Sequence, residues 1–67
     1  MSEDGFTLII KGKDKKYRGY SCCASMEYKT RKDYEKMPLE FTATTIEEAI
    51  LEAQKQYHEY GYNFYNA

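Results

Sequence analysis

Three side chains have the intrinsic reactivity for covalent chemistry: the adjacent thiols Cys22 and Cys23 and the single imidazole, His58. A thiol nucleophile needs a base within hydrogen-bond reach, so any such arrangement must pair His58 with one of the two cysteines. Spacing opposes this. His58 follows Tyr57 in a stretch of helical period, and one residue of helix turns a side chain by about 100°, which directs His58 away from the centre of the apolar stripe, toward solvent or the stripe's margin. Cys22 and Cys23 are neighbours in an extended segment whose successive side chains point to opposite faces, so they do not bridge each other. Two reduced thiols are expected, one packed inside and one facing outward. A zinc site needs about four ligands, and two divergent cysteines with one distant histidine do not supply them. Glu47, Glu48 and Glu52 bring carboxylates together, yet their place in the first turns of a helix marks them as capping groups and a solvated face. There is no Gly-rich phosphate loop, CxxC, HExxH or EF-hand loop. The expectation is a protein that is not an enzyme and uses no metal or cofactor.

Charge is the stronger clue. The formal net charge is −1, but residues 11–36 hold nine basic side chains against four acidic ones, while residues 37–67 hold one lysine against five glutamates. The basic stretch is interleaved with Tyr17, Tyr20, Tyr28 and Tyr34. Cations with aromatic rings suit a nucleic-acid groove, where phosphates and bases are met together. The same mixture suits a protein interface, since aromatic residues and arginine are its usual anchors. A third reading is that lysine-rich turns merely discourage edge-to-edge strand pairing. The acidic pI, ≈ 5.8, places a protein partner ahead of nucleic acid. The expected contact residues are Lys15, Lys16, Tyr17, Arg18, Arg31, Lys32 and Tyr34. A second surface is Glu47, Leu51, Glu52 and Lys55 on the acidic helix, where Leu51 lies off the apolar stripe.

The elements that must position these residues are legible in part. A chain of 67 residues makes one small domain, residues 1–67, that buries only about 60% of its unfolded surface, so self-association or a partner would add stability. Phe6-Thr7-Leu8-Ile9-Ile10-Lys11 alternates as a strand, and Gly12-Lys13-Asp14-Lys15 has turn chemistry. A returning strand over residues 16–28 places Tyr20, Cys22, Ala24, Met26 and Tyr28 on one face, with Gly19 marking a bulge or close approach. Residues 29–36 read as an exposed loop or hairpin tip around Tyr34. A third strand, residues 37–43, points Met37, Leu39, Phe41 and Ala43 inward, and Pro38 marks an edge. From Thr45 to Gly61 a helix is predicted. Thr45 caps it, Glu48 reaches back toward the Thr45 amide, Ile46, Ala49, Ile50, Ala53, Tyr57 and Tyr60 form its stripe, and Gly61 stops it. Tyr62–Tyr65 can add a short last strand. The expected fold is α+β: an antiparallel three- to four-stranded sheet in the order β-β-β-α. The helix should cover the face of Phe6, Leu8, Ile10, Tyr20, Cys22, Leu39 and Phe41. No signal peptide or spanning helix is evident, and a cytoplasmic location is expected.

The segment Phe41-Thr42-Ala43-Thr44-Thr45-Ile46-Glu47-Glu48-Ala49-Ile50-Leu51-Glu52-Ala53 resembles the strand-to-helix junction of the N-terminal domain of HicB-type antitoxins. It also resembles that of a small phage inhibitor of bacterial RNA polymerase, whose helix ending is similar to Gln56-Tyr57-His58-Glu59-Tyr60-Gly61-Tyr62-Asn63-Phe64. The chain lacks the antitoxins' C-terminal DNA-binding domain and has an extra strand and a long basic loop beside the phage inhibitor. Both resemblances imply a protein that works by occupying a larger partner, often one that handles nucleic acid. The resulting expectation is a complete, non-enzymatic phage or mobile-element inhibitor that sterically blocks a host or defence protein. The alternative is a small nucleic-acid-binding domain using the basic hairpins.

Overall fold

The computed structural model describes residues 5–23, 30–56 and 58–65. The predicted inward positions Ala24, Met26 and Tyr28, and Tyr57 of the helix stripe, lie outside the described residues. Four strands, β1 (Gly5–Lys11), β2 (Tyr17–Cys23), β3 (Leu39–Ala43) and β4 (Tyr62–Phe64), form one sheet in the order β3-β2-β1-β4. Two helices, α1 (Arg31–Glu35) and α2 (Ile46–Lys55), complete the α+β domain.

The sheet is mixed, not antiparallel throughout. β1 pairs with β2 and β2 with β3 in antiparallel fashion, but β4 runs parallel to β1. A helix that leaves β3 and returns along the sheet brings the chain back to the starting end, so the next strand repeats the direction of β3. Gly61 does take a left-handed backbone, φ 69°. It does so in the turn that delivers β4, where its amide donates to the His58 carbonyl, and not as the helix stop.

The helix begins as predicted and ends earlier. The Thr45 hydroxyl accepts from the Glu48 amide at 3.1 Å. The Glu48 carboxylate reaches one residue further back than expected, taking the amide and hydroxyl of Thr44. At the other end Gln56 caps the helix. Tyr60 is therefore not part of the stripe and is largely exposed, while Ala49 and Ala53 are buried.

On β1 and β2 this stripe covers the face opposite to the expected one, while Phe41 packs beneath it as expected. The register sets Ile9 against Gly19 and Gly19 against Phe41, and Ile9, Phe41 and Ala43 pack on Ala49 and Ala53, with Tyr17, Tyr62 and Phe64 at the margin. Gly19 makes this packing possible, because a Cβ there would lie 2.2 Å from the Phe41 ring. The irregularity expected at Gly19 is present as a register shift between Gly19 and Tyr20 in the pairing with β3, and the group that approaches Gly19 closely is a side chain.

The other face, Phe6, Leu8, Ile10, Tyr20 and Cys22, is covered by Tyr34 of α1, with Met37 and Tyr65 beside it. Residues 31–35 are thus a helical turn and not the expected loop. Thr30 and Asp33 form a reciprocal capping box, Arg31 bonds Glu35 one turn on at 2.9 Å, and the buried Tyr34 ring meets Tyr65 edge-on with centroids 6.0 Å apart. Leu39, expected inside, is 54% exposed. It belongs to the edge strand β3, just beyond a register shift opposite Gly19 and Tyr20. Pro38 does stand at that edge, where its carbonyl extends the ladder by accepting from the Ser21 amide.

Two substitutions test these contacts by chemical denaturation. Gly19→Ala forces the Phe41 ring aside and should cost about 1–3 kcal/mol as overpacking. Tyr34→Ala should cost about 3 kcal/mol or more, as expected for an aromatic ring removed from a core and not for a loop side chain.

Candidate functional site

The β1–β2 turn gathers most of the predicted basic residues. The Gly12 amide donates to the Lys16 carbonyl across it, Lys15 donates to the Gly12 carbonyl and takes a positive φ of 68°, and Asp14 accepts from the Lys16 amide. Lys13, Lys15 and Lys16 are exposed and make no ion pair among the described residues. Arg18 is held back. It sits two residues behind the turn, with its guanidinium on both oxygens of Asp14 at 2.8 and 3.3 Å. That contact raises Arg18 further above its ordinary value and pulls Asp14 down from 3.8 to about 2, with the Lys16 amide as the next cause.

Arg31 is likewise paired with Glu35, whereas Lys32 is exposed. Tyr17 is half-buried, packs beside the α2 cluster, and has the Lys11 ammonium 5.9 Å from its ring centroid. Tyr34 is in the core and offers no contact surface. The seven predicted contact residues therefore divide: Lys15, Lys16 and Lys32 are exposed charges, Arg18 and Arg31 are tied to acids, Tyr17 is partly available and Tyr34 is excluded.

On α2, Glu47, Leu51 and Lys55 are one turn apart and all exposed, with Leu51 at 58%, and Lys55 bonds Glu52 at 3.2 Å. The second predicted surface is therefore a continuous outer face. Its neighbour Glu48 is held below the usual carboxylate range by the Thr44 amide and then the Thr44 hydroxyl.

A third assembly was not anticipated. His58 lies outside the helix, so the helical phase that would send it to solvent does not apply. Its side chain is only 15% exposed, and Nε2 stands 2.6 Å from Glu40 Oε2. The other Glu40 oxygen, Oε1, accepts from the Thr7 hydroxyl at 2.7 Å. Thr7 is completely buried, and this bond is what satisfies its hydroxyl. Strict alternation along β3 would aim Glu40 away from Phe41; the register shift opposite Gly19 and Tyr20 lets it reach across to β1. The available signal was a glutamate set between the apolar residues Leu39 and Phe41 of β3.

Beside this assembly an open cleft of about 270 Å³ is lined by Gly5, Ser21, Cys22, Cys23, Met37, Pro38 and His58. The three groups singled out as reactive thus border one hollow. Cys22 is buried and Cys23 exposed, both unbridged, as expected. Burial is the first cause that pushes the Cys22 thiol up to about 11, followed by its neighbours Cys23 and Glu40, so it stays protonated at neutral pH.

Among the described residues no three His, Cys, Asp or Glu side chains are placed to hold a metal ion, and no helix is long and apolar enough to cross a membrane. No family model, curated protein or solved structure matches the chain.

The Asp14–Arg18 pair yields a pH prediction. With its folded value below its unfolded one, Asp14 contributes stability above about pH 4, which is lost as the pH falls through about 2. An NMR titration of its carboxyl should show the low midpoint, and Arg18→Ala should return it toward 3.8.

Proposed function

We propose that the chain is a non-enzymatic protein-binding module, of the phage or mobile-element inhibitor kind, that blocks a larger partner by steric occupation. The observation that supports this most is Leu51. A large apolar side chain that is 58% exposed sits at the centre of a helix face rimmed by Glu47, Glu52 and Lys55, the form taken by an interface anchor with a polar surround. The acidic rim selects a partner with a basic surface, as proteins that handle nucleic acid have. The α2 face therefore takes precedence over the basic residues of the β1–β2 turn and α1, of which Arg18 and Arg31 are already paired with acids and Tyr34 is buried.

Leu51→Arg leaves the core untouched and should reduce capture of a specific bacterial protein by about tenfold or more, the scale of losing roughly 1.4 kcal/mol of binding energy. Lys15→Glu/Lys16→Glu should leave capture within about twofold. Equal capture by wild type and Leu51→Arg would rule out this surface.

A nucleic-acid reading rests on the three exposed lysines of the β1–β2 turn beside Tyr17. Titration with single- and double-stranded oligonucleotides at two salt concentrations separates the two. If phosphates are the ligand, affinity falls steeply with salt and is lost in Lys15→Glu/Lys16→Glu.

A further inference from the structure

The outer face of α2 is ordered in charge as well as exposed. Glu47, Leu51 and Lys55 recur every four residues of the helix, so they follow one another along a single face in steps of about 6 Å, an acid at one end, an apolar side chain in the middle and a base at the other. All three are exposed. Ala49 and Ala53 pack into the core, which puts Leu51, two residues from each, at the middle of the side turned away from the sheet.

Both charged ends are open to a second molecule. Glu47 makes no ion pair among the described residues. Lys55 contacts Glu52 at 3.2 Å, but the two side chains are 68% and 40% exposed, and a pair so open to water holds its geometry only weakly. The nearby Glu48 has its carboxylate turned back onto Thr44.

This order of charge complements itself in one orientation only. Two copies of α2 laid side by side in parallel would set Glu47 against Glu47 and Lys55 against Lys55. Turned antiparallel about a two-fold axis at Leu51, they set each Glu47 against the Lys55 of the other copy, on both sides of a contact between the two Leu51 side chains. We propose that the α2 face binds a second copy of this chain, as an antiparallel, two-fold symmetric helix pair centred on Leu51. The contact is small. A helix of 10 residues is about 15 Å long, and one pair of that length falls short of the roughly 1,200–2,000 Å² that stable complexes bury. The pair therefore forms and parts readily. A regulatory consequence follows, which rests on the binding role proposed for Leu51: at high concentration the second copy covers the anchor, and a tighter partner displaces it.

Sedimentation equilibrium on the purified chain tests this at about 0.15 M salt, where repulsion between the acidic halves is screened beyond roughly 8 Å. Between about 20 μM and about 1 mM the wild type should pass from monomer to dimer, and Leu51→Arg should stay monomeric. Glu47→Lys and Lys55→Glu should each raise the dissociation constant about fivefold or more, since each sets like charges together at both ends of the pair. Glu47→Lys also lowers the general repulsion between copies, so its weakening identifies the contact itself. Mixed in equal amounts, the two variants restore opposite charges at both ends and should form a one-to-one dimer within about twofold of the wild-type affinity. A wild type still monomeric at about 1 mM would overturn the inference. So would undiminished association in Leu51→Arg, an unchanged dissociation constant in both single variants, or no recovery in their mixture. None of these readings involves a captured protein, so self-association and the binding role of Leu51 stand or fall separately.

Discussion

Every residue of β1 from Gly5 to Ile10 is buried, and most of the architecture serves to keep it so. A strand in this position needs hydrogen-bond partners along both edges and apolar cover on both faces, or its amides and side chains meet water unevenly. β2 and β4 supply the edges. The faces are harder to cover in a chain this short. One is covered by the Ala49 and Ala53 side of α2, which needs the missing side chain at Gly19 to seat Phe41. The other has no long helix, and a five-residue turn with one tyrosine, helped by Met37 and Tyr65, does the work. Large rings with a hydroxyl that tolerates water let so little backbone close so much surface.

The same constraint explains what could be read from the sequence. Alternation located β1 and β2, Pro38 marked the edge character of β3, and side-chain capping located the start of α2. The face that α2 covers was not legible, because Ile9 lies between Leu8 and Ile10, so both faces of β1 are apolar. Thr7 looks like a solvent-facing residue, yet it is buried against Glu40. Residues 31–35 are polar apart from Tyr34, so period carried no information; Thr30 and Asp33, three residues apart, were the usable signal. The end of α2 was misplaced because Tyr57 and Tyr60 continue the helical spacing beyond Gln56 in the sequence, whereas Tyr60 sits in the turn to β4. That error also put His58 in the wrong environment.

The charged groups fall into two regimes. Asp14 with Arg18 and Arg31 with Glu35 are exposed pairs whose net effect on stability is small. Glu40 and His58 are largely withdrawn from water, where an unmatched partner would be costly and a matched one fixes geometry. The first regime shapes what the surface attracts, and the second determines where one imidazole points. Thr7 links the second regime to the centre of the sheet.

The pairing of β4 with β1 carries a further consequence, for how the molecule is made. The first and last strands in chain order are neighbours, so the edge of β1 cannot be closed until Tyr62–Phe64 has been synthesised and has left the ribosome. Until then β1, the most apolar strand, presents a bare edge, and the contact that closes it spans nearly the whole sequence. Closure therefore waits on a contact of large sequence separation, and folding is slow relative to a helical chain of equal length. During that interval the nascent chain is at its most vulnerable to pairing with another copy of itself.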